Sequence, residues 1–324
     1  MKPFEYAAPK KLKDATELLG KEWGVTEIMA GGTDLVTCLK QGITEPKRVV
    51  SLRNIPDLAR IRTGRKGLTI GAMTSLGELA GNEDVRKEFP ALSGAASAVS
   101  AAQILSVGTV GGDLCQRPRC WFFRNGFGLL GMEGTTSLVR SGDNRYHAIF
   151  GTEGPALFVS ASSLGPALIA LGATLTAEGP AGKVREIAAA DFFKAPASEG
   201  QRETQLQPNE ILTQIFVPST VSRNATYEVR HRHGLDWPYA TASVAFELSG
   251  GVASKASVVL GHVAATPWQA KAAAAALEGT RVNEETAARC GEAATQGAQP
   301  LSRNAYKIQM VKTAVKRAIL AAAG

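Results

Sequence analysis

Two glycine-rich segments hold the residues of this chain best suited to chemistry. The first is Ala30-Gly31-Gly32-Thr33-Asp34-Leu35. The second is Ser106-Val107-Gly108-Thr109-Val110-Gly111-Gly112-Asp113-Leu114. Consecutive backbone N–H groups in a Gly-Gly turn form a concave anion nest, and a helix opening behind the turn adds partial positive charge. Thr33, Ser106 and Thr109 place hydroxyls beside those amides. Asp34 cannot face a phosphate without repulsion, so its carboxylate is expected to cap the following helix or bond the turn's own backbone. Taken alone, each segment also reads as a tight connection that needs glycine for a positive φ or a close backbone approach. Two turns with matching chemistry in one domain point to a diphosphate gripped from both sides, and so to a dinucleotide. The glycine spacing is not the G-x-G-x-x-G of a Rossmann site, which favours FAD over NAD.

Elements that could position these turns are legible around them. Apolar spacing predicts a helix from Leu12 to Trp23, a strand from Val25 to Met29, a helix from Asp34 to Gln41 and a strand at Arg48–Leu52. This is a β-turn-α-β unit and implies a small parallel sheet. From Leu58 short alternating stretches with glycine breaks predict antiparallel strands. Ser75 followed by Glu78 predicts a capping box at a helix start. Phe89 to Ala102 predicts a small-residue helix, and residues 114 to 150 are irregular. Leu168 to Ala177 reads as a helix end and a strand. The turn-rich Pro180–Gly182 predicts a domain boundary. Beyond it lie strands at Glu210–Val217, Thr241–Leu248 and Ala253–Leu260, then helices at Trp268–Leu277, Glu284–Gly297 and Asn304–Ala323.

Composition narrows the classes. The 324 residues suffice for two or three sub-domains, and 44% hydrophobic with 20% charged residues is ordinary for a soluble globular chain. The net charge of +7 comes from scattered basic residues with no long run, so a nucleic-acid role is not expected. Cys38, Cys115, Cys120 and Cys290 are too sparse for a disulfide framework and suit a reducing compartment. The N-terminal residues carry no secretory h-region, and no apolar run reaches membrane-spanning length.

The order and spacing of Ala30-Gly31-Gly32-Thr33-Asp34-Leu35, Thr74-Ser75-Leu76 and Gly108-Thr109-Val110-Gly111-Gly112-Asp113-Leu114 resemble the medium, FAD-binding subunit of molybdenum hydroxylases. That family includes the xanthine dehydrogenases, carbon monoxide dehydrogenases and aldehyde oxidoreductases. The resemblance runs from Phe4-Glu5-Tyr6 through Arg232–Ala240 to Pro267-Trp268 and Pro300–Lys307. It implies an α+β fold: a two-lobed FAD-binding domain followed by a smaller α+β C-terminal domain. The first lobe is a small parallel βαβ unit, and the second is larger, mixed and antiparallel. The expected boundaries are 1–180, with lobes of about 1–57 and 58–180, and 181–324. The resemblance also implies non-covalent FAD contacted by Ala30, Gly31, Gly32, Thr33, Asp34, Leu35, Thr74, Ser106, Gly108, Thr109, Gly111, Gly112, Leu114, Arg119 and Ser163. The implied partners are a small 2Fe–2S subunit and a large molybdenum-cofactor subunit. Electrons would pass from the 2Fe–2S clusters through the flavin to an external acceptor, with substrate oxidised on the other chain. The expected compartment is the cytoplasm, or the periplasm if a signal-bearing partner carries the chain there.

Gln116–Arg124 and Gly142–Gly151 look most like flavin subunits of bacterial aldehyde oxidoreductases, some of which hold a 4Fe–4S cluster in this insert. Cys120 matches the first ligand position, but residues 125 to 141 contain no cysteine and Ala156 stands at the last position. A cubane needs about four thiolates, so no 4Fe–4S cluster and no metal site is expected in this chain. Ser163 stands where relatives carry a flavin-contacting Asp. Tyr227–Arg232 lacks their Lys, with Val229 within the stretch and Arg230 or Arg232 as stand-ins. His147 reads either as a flavin-tuning or as a packing histidine. His231 and His233 lack a completing ligand other than Asp236, so a structural reading is expected. Trp237 and Trp268 are expected as packing anchors, and Trp121-Phe122-Phe123 as core rather than as a flavin or partner contact. The expected function is electron transfer through FAD. The rivals are a flavin-poor assembly subunit of the same kind of complex and a free-standing flavin oxidase, for which no base or substrate pocket is evident.

Overall fold

A computed structural model describes residues 1–99, 101–219, 223–232 and 236–324. The first lobe contains β1 (Glu5–Ala7), α1 (Leu12–Glu17), β2 (Thr26–Met29), α2 (Leu35–Lys40) and β3 (Arg48–Ser51). Its strands pair in parallel in the order β1-β3-β2. Parallel neighbours need a crossover, and α2 supplies it between β2 and β3. Val50, Leu52, Ile55 and Leu58 form its core with Ala15 of α1. Helix α1 stops at Glu17, short of the predicted Trp23. Gly20 follows, and Gly24 takes a φ of +84°; glycine is a poor residue for propagating a helix.

The second lobe begins with the hairpin β4 (Ile61–Gly64) and β5 (Gly67–Gly71). Five short helices follow: α3 (Leu76–Gly81), α4 (Glu83–Glu88), α5 (Pro90–Ala98), α6 (Ala102–Val107) and α7 (Val110–Cys115). The capping box forms at α3, where Ser75 Oγ accepts from Glu78 N and Ser75 N donates to Glu78 Oε2 at 2.8 Å. The single helix predicted over residues 89–102 is divided between α5 and α6. An irregular stretch carries α8 (Trp121–Arg124), the hairpin β6 (Met132–Glu133) and β7 (Thr136–Ser137), and α9 (Leu138–Ser141). Next come α10 (Leu164–Ala170), β8 (Thr174–Glu178), β9 (Val184–Ala188), α11 (Ala189–Phe192) and β10 (Ile211–Pro218).

Strand β10 corrects the expected boundary at residue 180. It lies between β5 and β8 in an antiparallel sheet of order β4-β5-β10-β8-β9. Ile215 is fully buried and opposite both Ile70 and Leu175. Residues 180–182, which read as a domain boundary, are the turn between paired β8 and β9. The second lobe therefore continues to Pro218.

The C-terminal domain has the antiparallel order β11 (Arg223–Val229), β12 (Ala240–Ser249), β13 (Val252–Gly261), β14 (Trp268–Gln269). The helices α12 (Lys271–Leu277), α13 (Glu284–Ala293) and α14 (Lys307–Ala323) complete it. Val311, Ala314, Val315, Ala318, Ile319 and Ala322 give α14 a buried stripe at helical spacing. Trp268 pairs with β13 instead of starting a helix, and its ring stacks on Phe150. The segment before α14 grips the irregular stretch of the second lobe. Asn304 Nδ2 donates to the carbonyls of His147 and Ala148, and Asn144 Nδ2 donates to Ser302 Oγ. Ile149 and Phe150 are buried within the C-terminal core, so that core fixes the loop carrying Tyr146 and His147.

Candidate functional site

The two glycine segments meet backbone to backbone. A β-carbon on Gly31 would stand 1.9 Å from the Val107 carbonyl oxygen and 3.1 Å from Gly108 Cα. Only glycine allows that approach. Ala30, Gly31, Gly32, Thr33, Asp34 and Leu35 line a cleft of about 190 Å³, with Thr109, Gly111 and Gly112 across it. Among the described residues, the backbone N–H groups of Gly31, Gly32 and Thr33 have no hydrogen-bond partner. They are free donors in the cleft.

The second segment differs from a free anion-binding turn. Thr109 caps α7, its Oγ1 accepting from Gly112 N at 3.1 Å, and Gly111 N donates to the Ala72 carbonyl at 2.7 Å. Both glycine amides are engaged inside the protein. Gly111 instead permits close packing, since a β-carbon there would lie 2.9 Å from Ala72 Cβ.

Thr74, Ser106, Gly108, Leu114, Arg119 and Ser163 do not line the cleft. The Thr74 carbonyl accepts from Val110 N and the Gly108 carbonyl from Leu76 N, which fastens the second segment to α3. Ser106 Oγ donates to the Ala102 carbonyl, and Leu114 is core. Ser163 is buried and its N–H donates to Asp113 Oδ1 at 3.3 Å. Asp113 also accepts from Ser162 Oγ at 2.5 Å and Leu164 N at 3.0 Å. It thus brings a carboxylate to the start of α10, beside the position where Ser163 lacks one. Burial pushes the Asp113 carboxyl pKa up.

Asp34 neither caps α2 nor bonds its own turn. Its carboxylate accepts from Arg117 N at 2.8 Å and pairs with Arg124 at 2.8 Å and Arg119 at 3.2 Å. A first-lobe carboxylate thereby gathers the arginines of the irregular stretch. Arg117 pairs onward with Glu203, and Arg202 pairs with Glu27 while lying over the Trp23 ring. These groups edge the same cleft. Burial raises the pKa of Glu27 and of Glu203.

Arg119, paired with the cleft-lining Asp34, lines a second cavity of about 340 Å³ between the irregular stretch and the C-terminal domain. Its guanidinium lies 4.7 Å from the Trp237 ring centroid. Trp121, Tyr146, Trp237 and Tyr239 give this cavity aromatic walls, with Tyr146 and Tyr239 stacked at 5.6 Å. Cys120, His147, His262 and Lys307 also line it. Cys120 Sγ is 3.1 Å from His147 Nε2. Burial, then the charge of Lys307, depresses His147 to about 4 and His262 to about 3. Lys307 is depressed to about 7 by burial, and its Nζ donates to the carbonyls of Tyr146, His147 and His262. Trp237 is therefore a cavity wall rather than a packing anchor, and Trp121 is one too. Phe123 joins a core cluster.

Cys115 faces the first cleft, and burial pushes its thiol up to about 12. Burial also raises Cys120. Neither is an activated nucleophile. Cys115 and Cys120 line different cavities, and Cys38 accepts from Arg124. Among the described residues, no group of three or more His, Cys, Asp or Glu side chains is disposed to hold a metal ion. His231 contacts Asp236 at 3.7 Å, and His233 lies outside the described residues.

Sequence reasoning missed Arg117, Arg124, Tyr239, His262 and Lys307. One signal was present: Lys307 is a charged residue in register with the apolar stripe of α14, where only a partnered amine is tolerated.

A family model for the FAD binding domain in molybdopterin dehydrogenase matches residues 2–220, and one for the CO dehydrogenase flavoprotein C-terminal domain matches residues 225–322. The junction between them falls just after β10. The carbon monoxide dehydrogenase medium chain of Hydrogenophaga pseudoflava is 29% identical over 98% of this chain and 96% of its own length. The aldehyde oxidoreductase FAD-binding subunit PaoB of Escherichia coli is 29% identical over 96% of each. A solved structure of reconstituted CO dehydrogenase from Oligotropha carboxidovorans contains a chain that superimposes with a TM-score of 0.78. That chain is 26% identical, with 99% of this chain and 98% of that one covered.

Proposed function

This chain belongs to the FAD-binding family of the molybdopterin dehydrogenases, and on that premise we propose that it is the flavin electron-transfer subunit of a molybdenum-containing hydroxylase. It takes electrons from 2Fe–2S clusters of a small partner subunit and delivers them to an external acceptor. The large partner, which carries the molybdenum cofactor, oxidises the substrate. Among the described residues no helix is long and apolar enough to cross a membrane. The four free cysteines support a reducing compartment, the cytoplasm.

The observation that carries this reading is a donor-lined cleft beside an aromatic cavity, the two linked by the ion pair of Asp34 in the cleft with Arg119 in the cavity. The unpartnered amides of Gly31, Gly32 and Thr33 suit a diphosphate, and the packed Gly31–Val107 contact sets the facing wall. The aromatic walls at Trp121, Tyr146, Trp237 and Tyr239 suit a flat heteroaromatic ring. The residues therefore fit FAD. Bound FAD would supply the redox chemistry that these side chains lack. The protein's part is to hold the diphosphate, seat the ring and shield it from water.

An absorbance spectrum of the purified chain, with acid extraction and iron analysis, tests this. Flavin bands near ~370 and ~450 nm with one FAD per chain are expected. A protein that stays colourless after incubation with FAD and its partner subunits would make it an assembly subunit. Four irons per chain would overturn the expectation of no cluster.

A further inference from the structure

Arg117 lines the same cleft as the free amides of Gly31, Gly32 and Thr33, but it comes from the second lobe, between α7 and α8. Its backbone N–H donates to Asp34 Oδ2 at 2.8 Å. Asp34 directly follows Thr33, so this bond ties Arg117 to the end of the amide nest. Its side chain is held on two more sides. Nε donates to Glu203 Oε1 at 2.8 Å, and the guanidinium carbon lies 4.8 Å from the Phe123 ring centroid. Glu203 and Phe123 line the cleft as well. Burial raises the Glu27 carboxyl pKa and the charge of Arg117 opposes that rise, so the field of the guanidinium reaches the first-lobe wall. Arg–carboxylate pairs are often two-pronged, yet Glu203 takes Nε alone. Among the described residues, Nη1 and Nη2 make no hydrogen bond. Neither is among the buried atoms left without partners, so both are open to the cleft.

We propose that Arg117 is a diphosphate-binding residue, its Nη groups donating to phosphate oxygens that the amides of Gly31, Gly32 and Thr33 hold from the first lobe. The inference rests on the proposed FAD reading and deepens it. A grip from both sides needs donors on the second lobe, and there the amides of Gly111 and Gly112 are engaged within the protein. Arg117 fills that place with a full positive charge. A guanidinium is protonated at any ordinary pH, and its fixed fork matches phosphate oxygens. Asp34 does not oppose the anion, because Arg119 and Arg124 pair with its carboxylate. Glu203, in the connection between α11 and β10, fixes Nε and is a positioning residue. The other arginine lining the cleft, Arg202, is tied to Glu27 on β2 and lies over the Trp23 ring.

The test uses the full chain stripped of flavin, with FAD and ADP as probes, since both carry a diphosphate. Arg117→Gln should raise both dissociation constants together, by about ten- to a hundredfold. Arg117→Lys keeps the charge without the fork and should fall between native and Arg117→Gln. Glu203→Gln keeps the arginine and an acceptor for Nε but removes the competing charge, so it should bind FAD at least as tightly as the native chain. Arg117→Gln leaves the Glu203 carboxylate without its partner. The double variant Arg117→Gln with Glu203→Gln leaves neither charge behind, and it should bind as weakly as Arg117→Gln. Circular dichroism and thermal melts check the folding of each. Native FAD and ADP affinity in Arg117→Gln and in the double variant would overturn the role of Arg117 and leave the FAD reading standing. Equal losses in Arg117→Gln and Glu203→Gln would overturn it too, as the mark of a purely structural ion pair. A native chain that bound neither FAD nor ADP, even with its partner subunits, would overturn the underlying reading as well.

Discussion

The contact between the glycine segments makes Gly31→Ala the sharpest perturbation. A β-carbon there would sit 1.9 Å from the Val107 oxygen and 2.8 Å from its carbonyl carbon. Real β-carbons essentially never come within 3.0 Å, so the two backbones must part by more than an ångström. Gly31 does not have a positive φ, so the cost is steric. Overpacking of this kind costs about 1–3 kcal/mol. If the displacement falls on the facing walls of the cleft, FAD affinity drops roughly 5- to 150-fold. Gly32→Ala is the matched control. Its φ is +76° and its nearest neighbour would be Val36 Cγ2 at 3.4 Å, so its cost is conformational, about 1 kcal/mol. FAD titration of stripped protein, read by flavin fluorescence beside a thermal melt, should rank native above Gly32→Ala above Gly31→Ala. A Gly31→Ala chain that bound FAD with native affinity would refute the idea that this apposition forms the diphosphate grip.

Asp34→Ala leaves Arg119 and Arg124 without their shared carboxylate. It should cost about 2–4 kcal/mol in denaturant unfolding, less than a fully buried pair, because the Arg119 side chain is 27% exposed. An unchanged midpoint would remove Asp34 as the clasp between lobes. His147 and His262, depressed to about 4 and 3 from 6.5, are neutral in the fold. The unfolded chain therefore binds more protons below pH 6.5, and stability should fall as pH drops from 6.5 toward 3. Melts across that range should show a shallower fall in His262→Gly; equal slopes would contradict the assigned burial. Lys307, depressed to about 7 from 10.5, is protonated in the unfolded chain where the folded chain has lost its proton. It should make stability rise between pH 7 and 10.5, and Lys307→Met should flatten that rise.

Local features were legible in the chain order. The Ser75–Glu78 capping box, the β2-turn-α2-β3 unit and the long strands β12 and β13 each depend on neighbours in sequence, where propensity and periodicity act. The glycine segments were legible as well, because glycine marks close approach wherever it stands. Other features depend on partners far apart in the chain. Asp34 reads as a cap from its place before α2, but packing brings Arg117, Arg119 and Arg124 to it. Residues 180–182 read as a domain boundary until β10 enters the sheet beside β8. The aromatic cavity draws Trp121, Tyr146, Trp237, His262 and Lys307 from separate segments. Sequence alone determined where the backbone could turn and which stretches were strand or helix, because those choices are local. The tertiary structure decided which carboxylate meets which arginine and which side chains share a cavity, because only packing between distant segments sets those distances.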